Sequence, residues 1–411
     1  MRTERIISIT ILYLLIAGCA SNKSSDELKP KVNDKNAVTI ELFNNKNDYK
    51  LEPIKMSEFV DSVKFIILEE TKESLIKYPN KIFFTQEQVI VVDSDLGTIF
   101  FFDRNGKYIK KISKRGQGPG EYLTMSSCMF DEQKQQLIVY DNRVNKMLFY
   151  DLSGNLIREI PKFCEGTLIR DIVNLNNGNF LCYEYDGVGN KRVDEKYIGL
   201  WEVDADGKFI RSYFTYNVIL PIIFSATSSF LQRLQDGAVS IRDNVHQDIY
   251  HYKNGALEKY ISYNIKGDKL LKYIGKTTDD GDVADMINIR AGLHQEKGDY
   301  IITLWHDATF PRPKDFFSLF SKTNRKVLRY WDAFYTYDAT VPGVLAWPVN
   351  SNSPDILVCI LSGVSEINGF SIDKYLADKN LPEPARNALE SVKKELAGSE
   401  NPVLELLYIK K

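Results

Sequence analysis

The sequence is short of the residues that most often carry chemistry. Its 411 residues include four histidines and five cysteines. His246, His251, His294 and His306 show no H-x-x-x-H spacing, and the hairpin expected between the first two argues against a shared ligand site. There is no C-x-x-C, which excludes zinc-ribbon and thioredoxin-type readings. No G-x-S-x-G elbow is present, and the glycine-rich stretch Gly116–Gly120 lacks the G-K-[ST] ending and leads into a strand rather than a helix, so it is not a phosphate cradle. Asp279, Asp280, Asp282 and Asp285 lack the EF-hand spacing and its closing glutamate. No metal or cofactor is expected. The 53 basic residues nearly balance the 55 acidic ones, for a net charge of −2. That leaves no basic field for nucleic acid. A membrane-spanning helix needs roughly 20 apolar residues, and no stretch after the N-terminus offers them.

What is present begins with export. Two arginines, Arg2 and Arg5, precede an apolar run from Ile6 to Ala17, the pattern of a secretory signal. The run ends in Ile16-Ala17-Gly18-Cys19, which resembles the lipobox of bacterial lipoproteins. That resemblance implies a signal peptide over 1–18, cleavage before Cys19 and a lipid on its thiol. The next residues are polar (Ser21, Asn22, Ser24, Ser25, Asp26, Glu27) and too poor in apolar surface to offset ordering entropy, so 19–37 reads as a flexible tether. Cys128, Cys164, Cys182 and Cys359 sit mostly in apolar strand contexts and read as buried thiols.

A repeat gives the fold class. Val89-Ile90-Val91-Val92-Asp93 leads through a turn to Ile99-Phe100-Phe101-Phe102-Asp103 and Gly106. Leu137-Ile138-Val139-Tyr140-Asp141 leads likewise to Met147-Leu148-Phe149-Tyr150-Asp151 and Gly154. Asp93 to Asp141 and Gly106 to Gly154 are the same interval, 48 residues. Short runs of Val, Ile, Phe and Tyr separated by glycine-closed turns are hairpin strands. Weaker copies start near Asn179, Ala238, Tyr300 and Ile356. Blades of a propeller have this size, so 38–411 is expected to be an all-β, six-bladed β-propeller. Val63–Leu68 and Pro402–Ile409 are expected to share the last blade, because an unpaired edge invites aggregation. Tyr375, Leu376, Ala385, Leu389, Val392 and Leu396 recur at helical spacing. They predict a short C-terminal helical insertion in that blade, about 372–398, packed on the rim.

The segment Lys114-Arg115-Gly116-Gln117-Gly118-Pro119-Gly120-Glu121-Tyr122, the Phe-Asp-x-x-Gly turns, the lipobox and Asn401-Pro402-Val403-Leu404 together resemble the six-bladed β-propeller lipoproteins of Bacteroidetes, distant relatives of NHL-repeat propellers. The resemblance implies a fold and an envelope location and transfers no catalytic residues.

Binding candidates follow from loops on a rigid scaffold. Arg115 and Glu121 flank the glycine segment and are expected to project toward the central channel, although the glycines themselves read as a tight blade-to-blade connection. Trp305, His306 and Arg312 lie in a loop expected inside the fifth blade, with Trp305 offering a stacking face and His306 and Arg312 meeting polar groups or an anion; packing of Trp305 between blades is the competing reading. The leading expectation is a non-catalytic binding or scaffold protein, held by its lipid at the cell envelope, at the outer membrane, facing the periplasm or the surface. It would present a propeller face to a glycan, a peptide or a protein partner. The rival is a channel-centred enzyme, lactonase- or lyase-like and possibly calcium-dependent.

Overall fold

The computed structural model describes residues 32–42, 54–164, 169–184, 192–193, 196–216, 230–243, 247–265, 289–307, 314–332, 340–362, 371–396 and 398–410. The first blade is an antiparallel sheet of Lys81–Phe84, Gln88–Asp93, Thr98–Asp103 and Tyr108–Ser113. Its two middle strands are buried along almost their whole length, whereas the outer strand alternates buried and exposed. A strand with a neighbouring blade on each face has no solvent side, so it reads as a continuous apolar run. Only the outer strand keeps the period-2 signature.

The second blade repeats this with Ser127–Asp131, Gln136–Asp141, Lys146–Asp151 and Leu156–Ile160. The third is built on Asp171–Asn174, Phe180–Tyr183, Lys196–Val203 and Phe209–Tyr216. The fourth comprises Leu231–Arg233, Val239–Arg242, Ile249–Lys253 and Ala256–Ile265, and the fifth Ile289–Lys297, Tyr300–Asp307, Lys314–Ser321 and Lys326–Asp332. The last blade takes Trp347–Ser351, Ile356–Leu361 and Val403–Ile409 from the C-terminal part of the chain and Val60–Ile67 from the N-terminal part. Val403 to Ile409 run antiparallel to Ile67 to Val60. The two ends of the chain thus close a β-propeller, as the edge-strand argument requires. Successive blades are in sequence order, and a short parallel bridge, Asn350 to Lys81 and Ser351 to Ile82, joins the last inner strand to the first.

Between two strands of the last blade the chain makes α1 (Ile372–Ala377) and α2 (Glu383–Leu396). The Ser371 hydroxyl accepts from the Lys374 amide to start α1. Pro384 falls in the first turn of α2, where its missing N–H costs nothing. Ile372, Tyr375, Ala385, Leu389, Val392 and Leu396 enter one core with Phe59, Val60, Leu357 and Val403, so the insertion seals the closing blade.

The buried aspartates of the repeat explain how each inner strand is placed. Asp93 Oδ2 accepts from the amides of Lys77 (2.7 Å) and Tyr78 (2.8 Å), and Asp141 Oδ2 from that of Leu123 (2.6 Å). Each carboxylate, at the end of a second strand, pins the loop that enters the inner strand beside it.

One boundary differs from the sequence reading. Val32–Asn33 and Val38–Leu42 pair in parallel with the outer strand of the fourth blade, Val32 opposite Leu257 and Val38 opposite Ile261. Residues from Val32 therefore belong to the fold rather than to the tether. Backbone pairing on an open strand edge supplies the partners that the polar composition concealed. No disulfide joins the described cysteines; Cys128, Cys164, Cys182 and Cys359 are buried thiols. Among the described residues no helix is long and apolar enough to cross a membrane.

Candidate functional site

The inner strands surround a channel, and polar side chains tie each strand to the next. At the end where the strands enter, Lys81 Nζ of the first blade donates to Ser127 Oγ of the second (3.2 Å) and lies 3.8 Å from Asp171 of the third. Asp171 Oδ2 in turn accepts from the Phe230 and Leu231 amides at the fourth (2.7 and 2.9 Å). At the other end Gln232 exchanges two hydrogen bonds with the Glu296 backbone of the fifth blade, both 2.8 Å. Lys297 donates to Ser351 and Ser353 of the last, and Asn352 clasps the Phe84 backbone of the first. Burial pushes the Lys297 ammonium down to about 7. His294, three residues earlier on the same strand, is pushed down to about 4 by burial and is held by Ser240 Oγ at 3.0 Å, so it is a neutral structural histidine.

A 640 Å³ cavity occupies the channel and opens among the turns that follow the inner strands. Lys81 stands at its deep end. Phe83 and Phe130, 5.8 Å apart between ring centres, form one wall. Arg104 lies 5.1 Å over the Phe84 ring and donates to the Thr85 carbonyl (3.2 Å). Arg233 donates to the Asn174 carbonyl (3.0 Å) and to Asn176 Oδ1. Neither guanidinium has a carboxylate partner among the described residues. Of the acidic groups at the rim, Glu132 accepts from Asn352 and Asp236 is paired with Lys253, each at 2.5 Å. Asn174 lines the cavity, is 5% exposed, and its Nδ2 has no hydrogen-bond partner. A buried donor left unpaired costs about 1–3 kcal/mol, and this one belongs to a residue of the cavity wall.

A second cleft of 300 Å³ adjoins the mouth between the fourth and fifth blades. His251 Nε2 is 2.9 Å from Glu296 Oε1 there and stacks on Tyr260. Burial opposes ionisation of Glu296, but the hydrogen bond and charge of His251 outweigh it and hold the carboxyl below its usual range.

The residues singled out from the sequence do not gather at this mouth. Arg115 and Glu121 lie in the loop that enters the second blade's inner strand, at the opposite end of the channel. Glu121 Oε2 accepts from the Gly118 amide at 2.9 Å, and a side chain on Gly116 would come within 2.0 Å of that oxygen. The adjacent Tyr122 is buried and donates to the Gly97 carbonyl. The glycines make room for a carboxylate that holds the blade connection together. Trp305 and His306 lie in a strand rather than a loop, paired with Phe316 and Asp315. Trp305 is fully buried against Tyr263 and Phe316 and donates its indole N–H to Ser318. That packing leaves no open stacking face, which corrects the expectation. His306 Nδ1 is 2.7 Å from Asp315, whose hydrogen bond raises the imidazole above its ordinary value. Cys19, Arg312 and the aspartates at 279–285 fall outside the described residues. The mouth residues were missed because they are scattered polar residues, Asn174 and Arg233 at the ends of inner strands and Arg104 in the turn after a third strand.

Residues 37–407 match the family model "Domain of unknown function (DUF4934)". No curated protein matches the sequence. A Bacteroides fragilis NCTC 9343 protein described as exported superposes with a TM-score of 0.65 at 14% identity, over 91% of this chain and 100% of that one. A DUF4221 family member from Bacteroides vulgatus ATCC 8482 gives a TM-score of 0.45 at 9% identity, over 85% and 97%. Virginiamycin B lyase from Staphylococcus aureus gives 0.36 at 12%, over 74% and 79%. The first of these likenesses bears on the fold alone. With its family model spanning the propeller from before the closing strand to the last one, the chain belongs to the DUF4934 family.

Proposed function

We propose that this chain is a lipid-anchored, extracytoplasmic binding protein, a six-bladed propeller that takes a polar ligand at the mouth of its channel. The observation that carries the reading is the unpaired, buried Asn174 amide in a cavity lined by two guanidiniums without carboxylate partners. A cavity of a few hundred Å³ with apolar walls and a few convergent polar groups is the usual form of a small-ligand site. The Cys19 motif and the fold shared with an exported Bacteroides protein support the location. Val32–Asn33 pair beside the Lys253–Ala256 turn of the fourth blade, on the same side as the mouth, so the tether would hold the mouth toward the membrane. The test is binding of the full chain, purified in detergent, to glycan and peptide arrays, alongside an Arg104→Gln/Arg233→Gln variant. Retention by the native chain and loss by the variant is expected; equal retention by both would move the site elsewhere.

The His251–Glu296 pair supports a second reading, in which the adjoining cleft performs general acid–base chemistry. Turnover of a lactone or glycan library that disappears in His251→Gln would favour it over binding alone.

A further inference from the structure

We propose that the mouth is selective for an acidic oligosaccharide, a short chain bearing uronate carboxylates. This rests on the binding reading and gives it a ligand class. Among the groups lining the cavity, Arg104 and Arg233 are cations without a carboxylate partner and Asn174 Nδ2 is a donor without a hydrogen bond. The two acidic groups at the rim are already engaged, Glu132 by Asn352 and Asp236 by Lys253. The ligand must therefore bring acceptors and negative charge, and a guanidinium matches a carboxylate in two parallel hydrogen bonds. The walls select the carrier. Phe83 and Phe130 supply an apolar part of the lining for the C–H groups of a sugar ring, while the Gln133 and Gln235 side chains line the same cavity with amides for hydroxyls. An extended peptide is less well served. It is held by pairing with a free strand edge, and the inner strands here are short, such as Lys81–Phe84 and Leu231–Arg233, with ends tied from blade to blade.

The experiment is calorimetric titration of the full chain in detergent with four tetrasaccharides: galacturonate, mannuronate, methyl-esterified galacturonate and neutral maltotetraose. A glutamate tetrapeptide is the fifth probe. At least one uronate is expected to bind at least tenfold more tightly than the ester, the neutral sugar and the peptide. That affinity should fall as salt is raised. Arg233→Gln and Arg104→Gln should each weaken it at least tenfold, and Arg233→Lys by less. Near-ultraviolet circular dichroism reports whether each variant keeps the native packing, and the salt dependence needs no variant at all. Equal affinity for neutral and acidic sugars, indifferent to salt and to both arginines, would overturn the selectivity and leave the binding reading standing. Preference for the glutamate peptide would overturn the sugar class. Absence of binding to every probe, together with absence of retention on the arrays, would overturn both readings.

Discussion

Asn401 holds both ends of the chain with one carboxamide. Its Oδ1 accepts from the Ile76 amide at 2.9 Å, and its Nδ2 donates to the carbonyls of Leu68, Glu69 and Ser74. The residue is fully buried, so truncation strands several backbone groups at once. Asn401→Ala is expected to cost about 2–4 kcal/mol in denaturant unfolding. Glu405, four residues on, behaves differently. It is buried, its Oε1 accepts from the Val344 amide, and burial pushes its carboxyl up to about 8. A raised folded value means that the folded state holds this proton between the ordinary 4.5 and about 8. The stability it contributes is fully present below 4.5 and is lost as pH rises through 8. Glu405→Gln keeps the acceptor without the charge. Its melting temperature should match the native chain's at pH 4 and exceed it by about 2 °C or more at pH 9; the same offset at both values would contradict the assignment. At this scale the sequence was informative in part. The repeated aspartates were visible at their 48-residue interval, but not their task of pinning the entry loops. Arg104, Asn174 and Arg233 were invisible, because single polar residues at strand ends and in turns look alike until the blades bring them together.

Elements that look identical in sequence differ in what they touch. The turns at Gly106 and Gly154 both need a positive φ, 92° and 91°. A Cβ on Gly106 would stand 2.0 Å from the Ile67 carbonyl of the closing strand, whereas on Gly154 it would meet the Ile112 side chain, Cγ1 at 3.0 Å. Gly106→Ala is expected to cost about 3 kcal/mol or more, and Gly154→Ala about 1–2 kcal/mol, by chemical denaturation. Equal costs would show that the backbone conformation alone decides. The strands of the first two blades were legible because both faces are buried and the apolar runs are unbroken. The helical insertion was legible from Leu389, Val392 and Leu396, which reach the core as their spacing predicts. The pairing of Val38–Leu42 with the fourth blade was not legible, since a strand held at an edge by its backbone leaves a weak pattern. Trp305 misled because the loop expected inside the fifth blade begins later: pairing with Phe316 extends the strand through it.

For the molecule as a whole, closure by Val60–Ile67 against Val403–Ile409 makes one ring of sheets, and the cross-blade polar contacts fix the geometry of the mouth. A lipid on Cys19 predicts that the native chain partitions into the detergent phase and that Cys19→Ala leaves it in the aqueous phase. An unchanged partition would remove the anchor from the account. A ligand at the mouth would sit among the turns following the inner strands. Hydrogen–deuterium exchange of the full chain, with and without its tightest array ligand, tests it most directly. Slowed exchange is expected at Thr85–Gln88, Glu132–Gln136 and Arg233–Ala238, with no change at Lys114–Tyr122. Protection confined to Lys114–Tyr122, at the other end of the channel, would contradict it.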